Sequence, residues 1–369
     1  MKVSILTENL KKGLSIAMRG VSTRVQLPIL STVLLKAGKE GLVISATDLE
    51  LSFKVKVRAK VEEEGEMAIP AKLFSDLVAT LPVGVIELTG EKQTLIIKGE
   101  KVKAEVVGQG SEEFPSLPKA RGKGLELSIE ELQEKVERVG IAAAKDDSRP
   151  ILAGVLWVFS EKKATLVATD GYRLGVDTLK NGVSGGVEAG EKFVLPVRAL
   201  MELTRVLTPS MKSVIVEFDK DKQQVVFSAD DLEMSSRLIA GEFPPYSKVI
   251  PTEKKITVTL EKEALVEAVK RASLFARDSA NVVKLLVKQD GISVTAQSDQ
   301  VGGSQSFLEA EVEGEEVKIA FNARYLLDYL GVVKGEKVTM ETEGELKPAV
   351  FRIPKSEFLH VIMPVRTQN

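Results

Sequence analysis

The sequence predicts an α+β protein of three similar domains, each a doubled strand–helix–three-strand unit. Two internal rulers and one recurring change of period carry that prediction. "LPILSTVLL…LVISATDLELSF" in the first third is echoed by "RPILAGVLW…LVATDGYRLGV" in the second. Pro28 to Asp48 and Pro150 to Asp170 each span 20 residues, at an offset of 122. Independently, "AIPAKLFSDLVATLP", "VLPVRALMELTRVLT" and "AFNARYLLDYLGVVK" place Pro70, Pro196 and Asn322 at equal intervals of 126. Within a copy, apolar residues at every second position give way twice to helical spacing.

The first copy sets the order of elements. "KVSIL" alternates as a short strand, and Thr7 to Asn9 can cap a helix whose Leu10, Leu14, Ala17 and Val21 share one side. "TVLLKAG", "GLVISATD" and "LSFKVKVRAKVE" read as three alternating strands. After a short strand at "EMAI", a second helix begins at Pro70, where the missing N–H does no harm. "VIELTGE", "TLIIKGE" and "KAEVVGQ" follow as short strands with glycine-centred turns. "EEFPSLPKARGKGLEL" (112–127) and "GEFPPYSKVIPTEKK" (241–255) both carry Phe-Pro, a proline-limited extended run and a basic connector. The expected domains are therefore 1–122, 123–253 and 254–369. The apolar "VIMPV" close to residue 369 reads as a docked segment.

Composition narrows the function. No uncharged apolar run of about 18 residues exists to span a bilayer, and "MKVSILTENLKKGL" lacks the features of a signal peptide. With no Cys, disulfides and thiolate metal sites are excluded, and a cytoplasmic location is expected. The single His, His360, removes most triads and metal clusters, so no cofactor is expected. Net charge is −2 although 28% of residues are charged, so nucleic-acid binding would depend on where the basic residues sit.

"LPIL" at 27–30, "TDLE" at 47–50, "ATDGYRLG" at 168–175, "GEFPPYSKVIP" at 241–251, "FNARYLLDYL" at 321–330 and the terminal "VIMPVR" together resemble the bacterial DNA polymerase III beta subunit family, the processivity sliding clamps. The resemblance covers the whole chain. It implies the DNA clamp fold, closed into a ring as a head-to-tail homodimer around duplex DNA, and no catalytic activity. It also implies a peptide-binding pocket for the polymerase III catalytic subunit, the clamp loader, and other polymerases and repair proteins.

Carried over by position, one pocket wall is Leu152 with Thr169, Gly171, Tyr172, Arg173 and Leu174. A second is Pro244, Lys248 and Val249; the chain end supplies Val361, Ile362, Met363, Pro364, Val365 and Arg366. An apolar floor for Leu and Phe side chains is expected, with Arg173, Lys248 and Arg366 holding peptide oxygens at the rim. Tyr172, Lys248 and Val365 stand where relatives also carry His, Arg and Met. For ring closure the matching surfaces are Lys101 to Val106 and Leu274 with Phe275, although that apolar pair fits a core equally well.

The residues themselves leave rival readings. "Ala-Thr-Asp" occurs at 46–48 and again at 168–170, which suits an Asp that satisfies turn amides. An enzyme using Asp170 and Tyr172 as acid and base lacks a second carboxylate in the stretch and a suitable His. A repeat scaffold without nucleic acid differs from a clamp in its basic residues. Lys72, Arg198 and Arg324 recur two positions after Pro70, Pro196 and Asn322, and Arg24, Lys145 and Arg149 lie at the exits of the first helices. All six are expected to face non-specifically bound duplex DNA.

Overall fold

The computed structural model describes residues 1–22, 27–146, 148–180 and 187–367. Arg24 lies outside the described residues. The first copy runs as strand Lys2–Leu6, helix α1 (Thr7–Ala17), strands, Gly65–Pro70, helix α2 (Ala71–Thr80) and three more strands. The other copies repeat this around α3 (Ile129–Gly140) and α4 (Val197–Val206), then α5 (Lys262–Ala276) and α6 (Ala323–Val332). The triple, doubled α+β repeat is thus present. Among the described residues no helix is long and apolar enough to cross a membrane.

One expected strand is two. Leu51–Val57 stays in one sheet, whereas Lys60–Glu63 enters another and pairs with Lys2–Leu6, Val61 opposite Val3. In the third copy Gly302–Glu309 is likewise followed by Glu311–Glu313, which pairs with Ile256–Glu261. Side-chain alternation continues through such a corner, so periodicity alone reads it as one long strand.

Helix entry is solved in three ways. Pro70 ends its strand as the residue before α2 and has no N–H to satisfy. Asn322, at the corresponding place before α6, accepts from Arg324 N at 2.9 Å through Oδ1. Thr7 does not cap its own helix as expected: its Oγ1 and its amide both donate to Gly84 O, at 3.0 and 2.9 Å, fastening α1 to a loop of the same copy. Gly13 in α1 allows close approach to a strand, since a Cβ there would stand 2.5 Å from Val57 Cγ2.

The chain forms two compact units. The first draws mainly on Met1–Glu130 and Glu202–Leu238 and holds a five-stranded and an eight-stranded sheet. In the eight-stranded sheet Leu232–Arg237, from the second copy, pairs antiparallel with Leu51–Val57 of the first, Ser236 opposite Leu51. The second unit draws mainly on the chain from Glu131 to Leu179, Glu188–Met201 and the chain from Ile239 onward, with a nine-stranded and a four-stranded sheet. In the nine-stranded sheet Leu359–Ile362, from the third copy, pairs with Arg173–Leu179 of the second, Ile362 opposite Arg173. Backbone ladders therefore run across both repeat junctions.

Candidate functional site

In the second unit, Ala164–Thr169 and Arg173–Leu179 are joined by the turn that "ATDGYRLG" spells. Asp170 organises it: Oδ1 accepts from Tyr172 N at 2.9 Å and Arg173 N at 3.0 Å, and Oδ2 accepts from Arg173 Nε at 2.9 Å. Thr169 Oγ1 donates to Arg173 O at 2.7 Å and accepts from Gly171 N at 3.0 Å. Gly171 has φ 92°, a left-handed conformation that costs glycine little. Asp170 is thus the turn-former that the repeat suggested. Its oxygens bind amides and a guanidinium, an arrangement suited to geometry rather than proton transfer.

Arg173 departs from its expected role. Its side chain is 3% exposed, its Nη1 donates to Asp328 Oδ2 of α6 at 2.7 Å, and its guanidinium lies 4.4 Å from the Tyr325 ring centroid. The guanidinium is turned inward, so it holds the turn against α6 instead of meeting a ligand at the rim.

The turn forms one side of a cavity of about 370 Å³. Leu152, Thr169, Gly171, Tyr172, Arg173 and Leu174 come together there with Pro244, Lys248, Val249, Val361 and Met363. Leu152, Leu174 and Val361 are buried and form the floor, while Tyr172, 62% exposed, stands at the opening. The chain end is attached by a ladder bond continued past its strand, Met363 N to Tyr172 O at 2.9 Å.

The remaining chain-end residues lie elsewhere. Ile362 is fully buried, because alternate residues of a strand point to opposite faces and Val361 already takes the cavity side. Pro364 is not among the lining residues. Val365 donates its amide to Ala320 O at 2.8 Å, and Val365 and Arg366 line a separate cleft against the four-stranded sheet. The expected rim cation Arg366 is thus absent from this cavity. Arg149, expected to face DNA, instead lines the cavity and donates from Nη2 to Asp170 O at 3.0 Å.

Pro245 and Tyr246 were missed as lining residues. Both sit inside the Phe-Pro connector, and the large apolar Tyr246 between two wall residues was the available signal. Burial pushes its hydroxyl pKa up.

Behind the cavity, Tyr329, Phe358 and His360 stack, with Tyr329–His360 centroids 5.4 Å apart and Tyr329–Phe358 6.0 Å. Burial, with a smaller contribution from the Arg173 charge, pushes the His360 pKa down to about 3. The one histidine is a neutral core ring. Among the described residues no group of His, Cys, Asp and Glu could hold a metal ion.

Of the basic residues, Lys72, Arg198 and Arg324 each occupy the second position of α2, α4 and α6 and are exposed, as is Lys145. Others on the first helices serve the fold. Arg138 is buried with Glu134 and Asp177, and Lys135 Nζ binds Asp177 Oδ1 at 3.0 Å. Leu274 is 56% exposed on α5, and Phe275 is half-buried.

Family models for the DNA polymerase III beta subunit match three consecutive segments: the N-terminal domain at 1–118, the central domain at 126–245 and the C-terminal domain at 247–366. A beta sliding clamp of Synechocystis is 30% identical, with 100% of both chains covered. The chain belongs to the DNA polymerase III beta subunit family. Members of this family, the sliding clamps, are processivity factors of DNA polymerase. The Bacillus subtilis beta sliding clamp is 28% identical over 100% of both chains. The crystal structure of the DNA polymerase sliding clamp from that organism superposes with a TM-score of 0.94, 28% identity and 100% of both chains covered. The DNA polymerase III beta subunit of Thermotoga maritima gives 0.91 at 28% identity, also over 100% of both chains. This clamp therefore has the three-domain fold of its family from end to end.

Proposed function

We propose that this clamp acts without catalysis, encircling duplex DNA as a homodimer and tethering polymerase and clamp loader through the cavity beside the 169–173 turn. The observation that carries the reading is the cavity's construction. A buried apolar floor of Leu152, Leu174 and Val361 is framed by a turn that Asp170 and Arg173 hold rigid. A short peptide with adjacent Leu and Phe side chains suits it. Each buried side chain contributes roughly 1.5–3 kcal/mol before ordering costs, which leads to micromolar affinity. Met363 at the edge can repack around different peptides, as a clamp with several partners requires.

For DNA, Lys72, Arg198 and Arg324 support contact with phosphates. A cation in a helix's first turn opposes the macrodipole, at a cost of roughly 0.3–1 kcal/mol. Recurrence at that position in α2, α4 and α6 favours a ligand over helix stability. Ring closure would use two open sheet edges, Lys103–Val107 and Gly302–Glu309. Exposed Val107, Phe307 and Leu274 lie on or beside them. The domains are taken as 1–122, 123–253 and 254–369, and the location as cytoplasmic. Titration of a fluorescent Leu-Phe peptide into the wild type and Met363→Ala tests the cavity. Unchanged affinity in the variant would overturn the assignment.

A further inference from the structure

The elements that shape the cavity in the second unit recur in the first unit with different side chains. Thr47 Oγ1 donates to Leu51 O and accepts from Leu49 N, both at 3.0 Å, and Asp48 Oδ1 accepts from Leu51 N at 2.7 Å. These are the bonds of Thr169 and Asp170. Leu49 has φ 77° where Gly171 has 92°. Arg237 N donates to Glu50 O at 2.9 Å, just as Met363 N donates to Tyr172 O at 2.9 Å. The Phe-Pro connector, here Pro115 to Pro118, again runs alongside, and the space enclosed is a cleft of about 100 Å³. Through Ser116, Leu117, Pro118 and Gln224 it shares walls with a larger cleft of about 690 Å³.

The chemistry of this first cleft is inverted. Positions that carry Leu174, Val361 and Met363 in the apolar cavity carry Ser52, Ser235 and Arg237 here, and Glu50 replaces Tyr172. The buried hydroxyls of Ser52 and Ser235 are 2.6 Å apart. One proton makes that bond, so a second hydroxyl proton remains to be donated. Arg237 meets Glu50 only loosely, at 3.9 Å, with side chains 56% and 69% exposed.

The first cleft balances Arg237 against Glu50, whereas the larger cleft is net positive, with five cations against three carboxylates in its lining. Two of those carboxylates are engaged: Glu217 accepts from the amides of Arg121 and Gly122, and Asp219 accepts from the Arg121 guanidinium. Lys119, Lys123 and Lys222 stand exposed along it.

We propose that the first cleft is a second peptide-binding site, selective for an extended acidic segment of a partner protein. One carboxylate side chain enters between the Ser52–Ser235 pair and Arg237, displacing Glu50 from its loose pairing. The following acidic residues lie along Lys119, Lys123 and Lys222. A carboxylate suits the small opening because it is compact and accepts from both hydroxyl and guanidinium donors. A nucleic-acid strand suits it less well, since the narrow cleft has no aromatic face on which a base could stack.

The probe is a fluorescein-labelled Asp/Ser peptide followed by anisotropy on the full chain, with a Leu-Phe peptide and an oligothymidylate as competitors. Saturable binding is expected, weakened at least about tenfold by Arg237→Glu. Arg237→Gln should weaken it less, and Met363→Ala should leave it unchanged. Arg237 is exposed, so circular dichroism should show both substituted proteins folded. Saturation that ignores Arg237→Glu, displacement by the Leu-Phe peptide, or no saturation at millimolar protein would overturn the site. Tighter, Arg237-dependent binding of the oligothymidylate would overturn the acidic-peptide assignment. Since the Met363 and Arg237 arms address separate cavities, failure here is distinguishable from failure of the tethering cavity.

Discussion

Arg173 and Asp328 lie 155 positions apart and are joined by a 2.7 Å hydrogen bond from Nη1 to Oδ2. That bond, with Asp170 on the other side of the guanidinium, locks the cavity's turn to α6. Arg173→Ala leaves two carboxylates facing a vacated space. Because the Asp328 side chain is 28% exposed, water offsets part of the loss, and the cost should be about 2–3 kcal/mol. Urea unfolding should show a lowered midpoint, and peptide affinity should fall with it. Arg173→Lys should recover little, since an ammonium cannot serve both carboxylates with a planar fork. If Arg173→Ala weakened the peptide with no change in the midpoint, the side chain would be acting at the rim after all.

The inward course of Arg173 shows where sequence reading ends. The turn, the Phe-Pro connector and the chain end could each be read from local residues, because Asp, Gly and Pro dictate backbone shape over a few positions. Whether an arginine faces solvent depends on Asp328 and Tyr325, which no local pattern ties to it. Ile362 was misplaced for another reason. "LHVI" is apolar at three of four positions, so alternation could not say which residue faces the cavity. Arg149 was misplaced because its neighbour Pro150 marked the repeat but not the direction of the side chain. The three-copy order of helices and strands was visible apart from the strand that splits at residues 58–59, since repetition averages over such local ambiguities.

His360 supplies a pH prediction. Its pKa is lowered to about 3 in the fold, while an unfolded chain keeps it near 6.5. Between those values the unfolded state binds more protons, so stability is complete above the unfolded pKa and is lost as pH falls toward the folded one. The slope contributed approaches about 1.4 kcal/mol per pH unit. His360→Phe keeps a ring against Tyr329 and Phe358 and removes the proton. Denaturant unfolding between pH 7 and 5, above most carboxylate titration, should fall less steeply for the variant. Parallel curves would show that His360 does not stay neutral in the fold.

Deleting residues 361–366 would remove part of the core together with one wall of the cavity. Val361 and Ile362 are buried, and their strand pairs on both sides, with Arg173–Leu179 and Ala349–Arg352. Removing them should unfold the second unit. Met363→Ala spares the ladder and deletes only a partly exposed side chain at the cavity edge. Peptide affinity should drop about five- to tenfold, the equivalent of about 1–1.4 kcal/mol, with an unchanged thermal midpoint. A lowered midpoint would instead place Met363 in the core.

The proposed ring closure can be separated from folding at Leu274. The side chain is 56% exposed, whereas Phe275 beside it is half-buried, so the two respond differently to substitution. Leu274→Asp puts a charge where an isolated chain meets water, and the fold should tolerate it within about 0.5 kcal/mol. In a dimer interface the same carboxylate would be desolvated without a partner, which costs several kcal/mol and splits the ring. Sedimentation should therefore show folded monomers with an unchanged circular dichroism spectrum. Phe275→Ala should lower the thermal midpoint as well, because part of that ring packs within its own subunit. Retention on nicked circular DNA after loading should vanish for Leu274→Asp, since an open ring has no topological hold, while the Leu-Phe peptide should bind with wild-type affinity. A persistent dimer in Leu274→Asp would move the closure surface away from this face of α5.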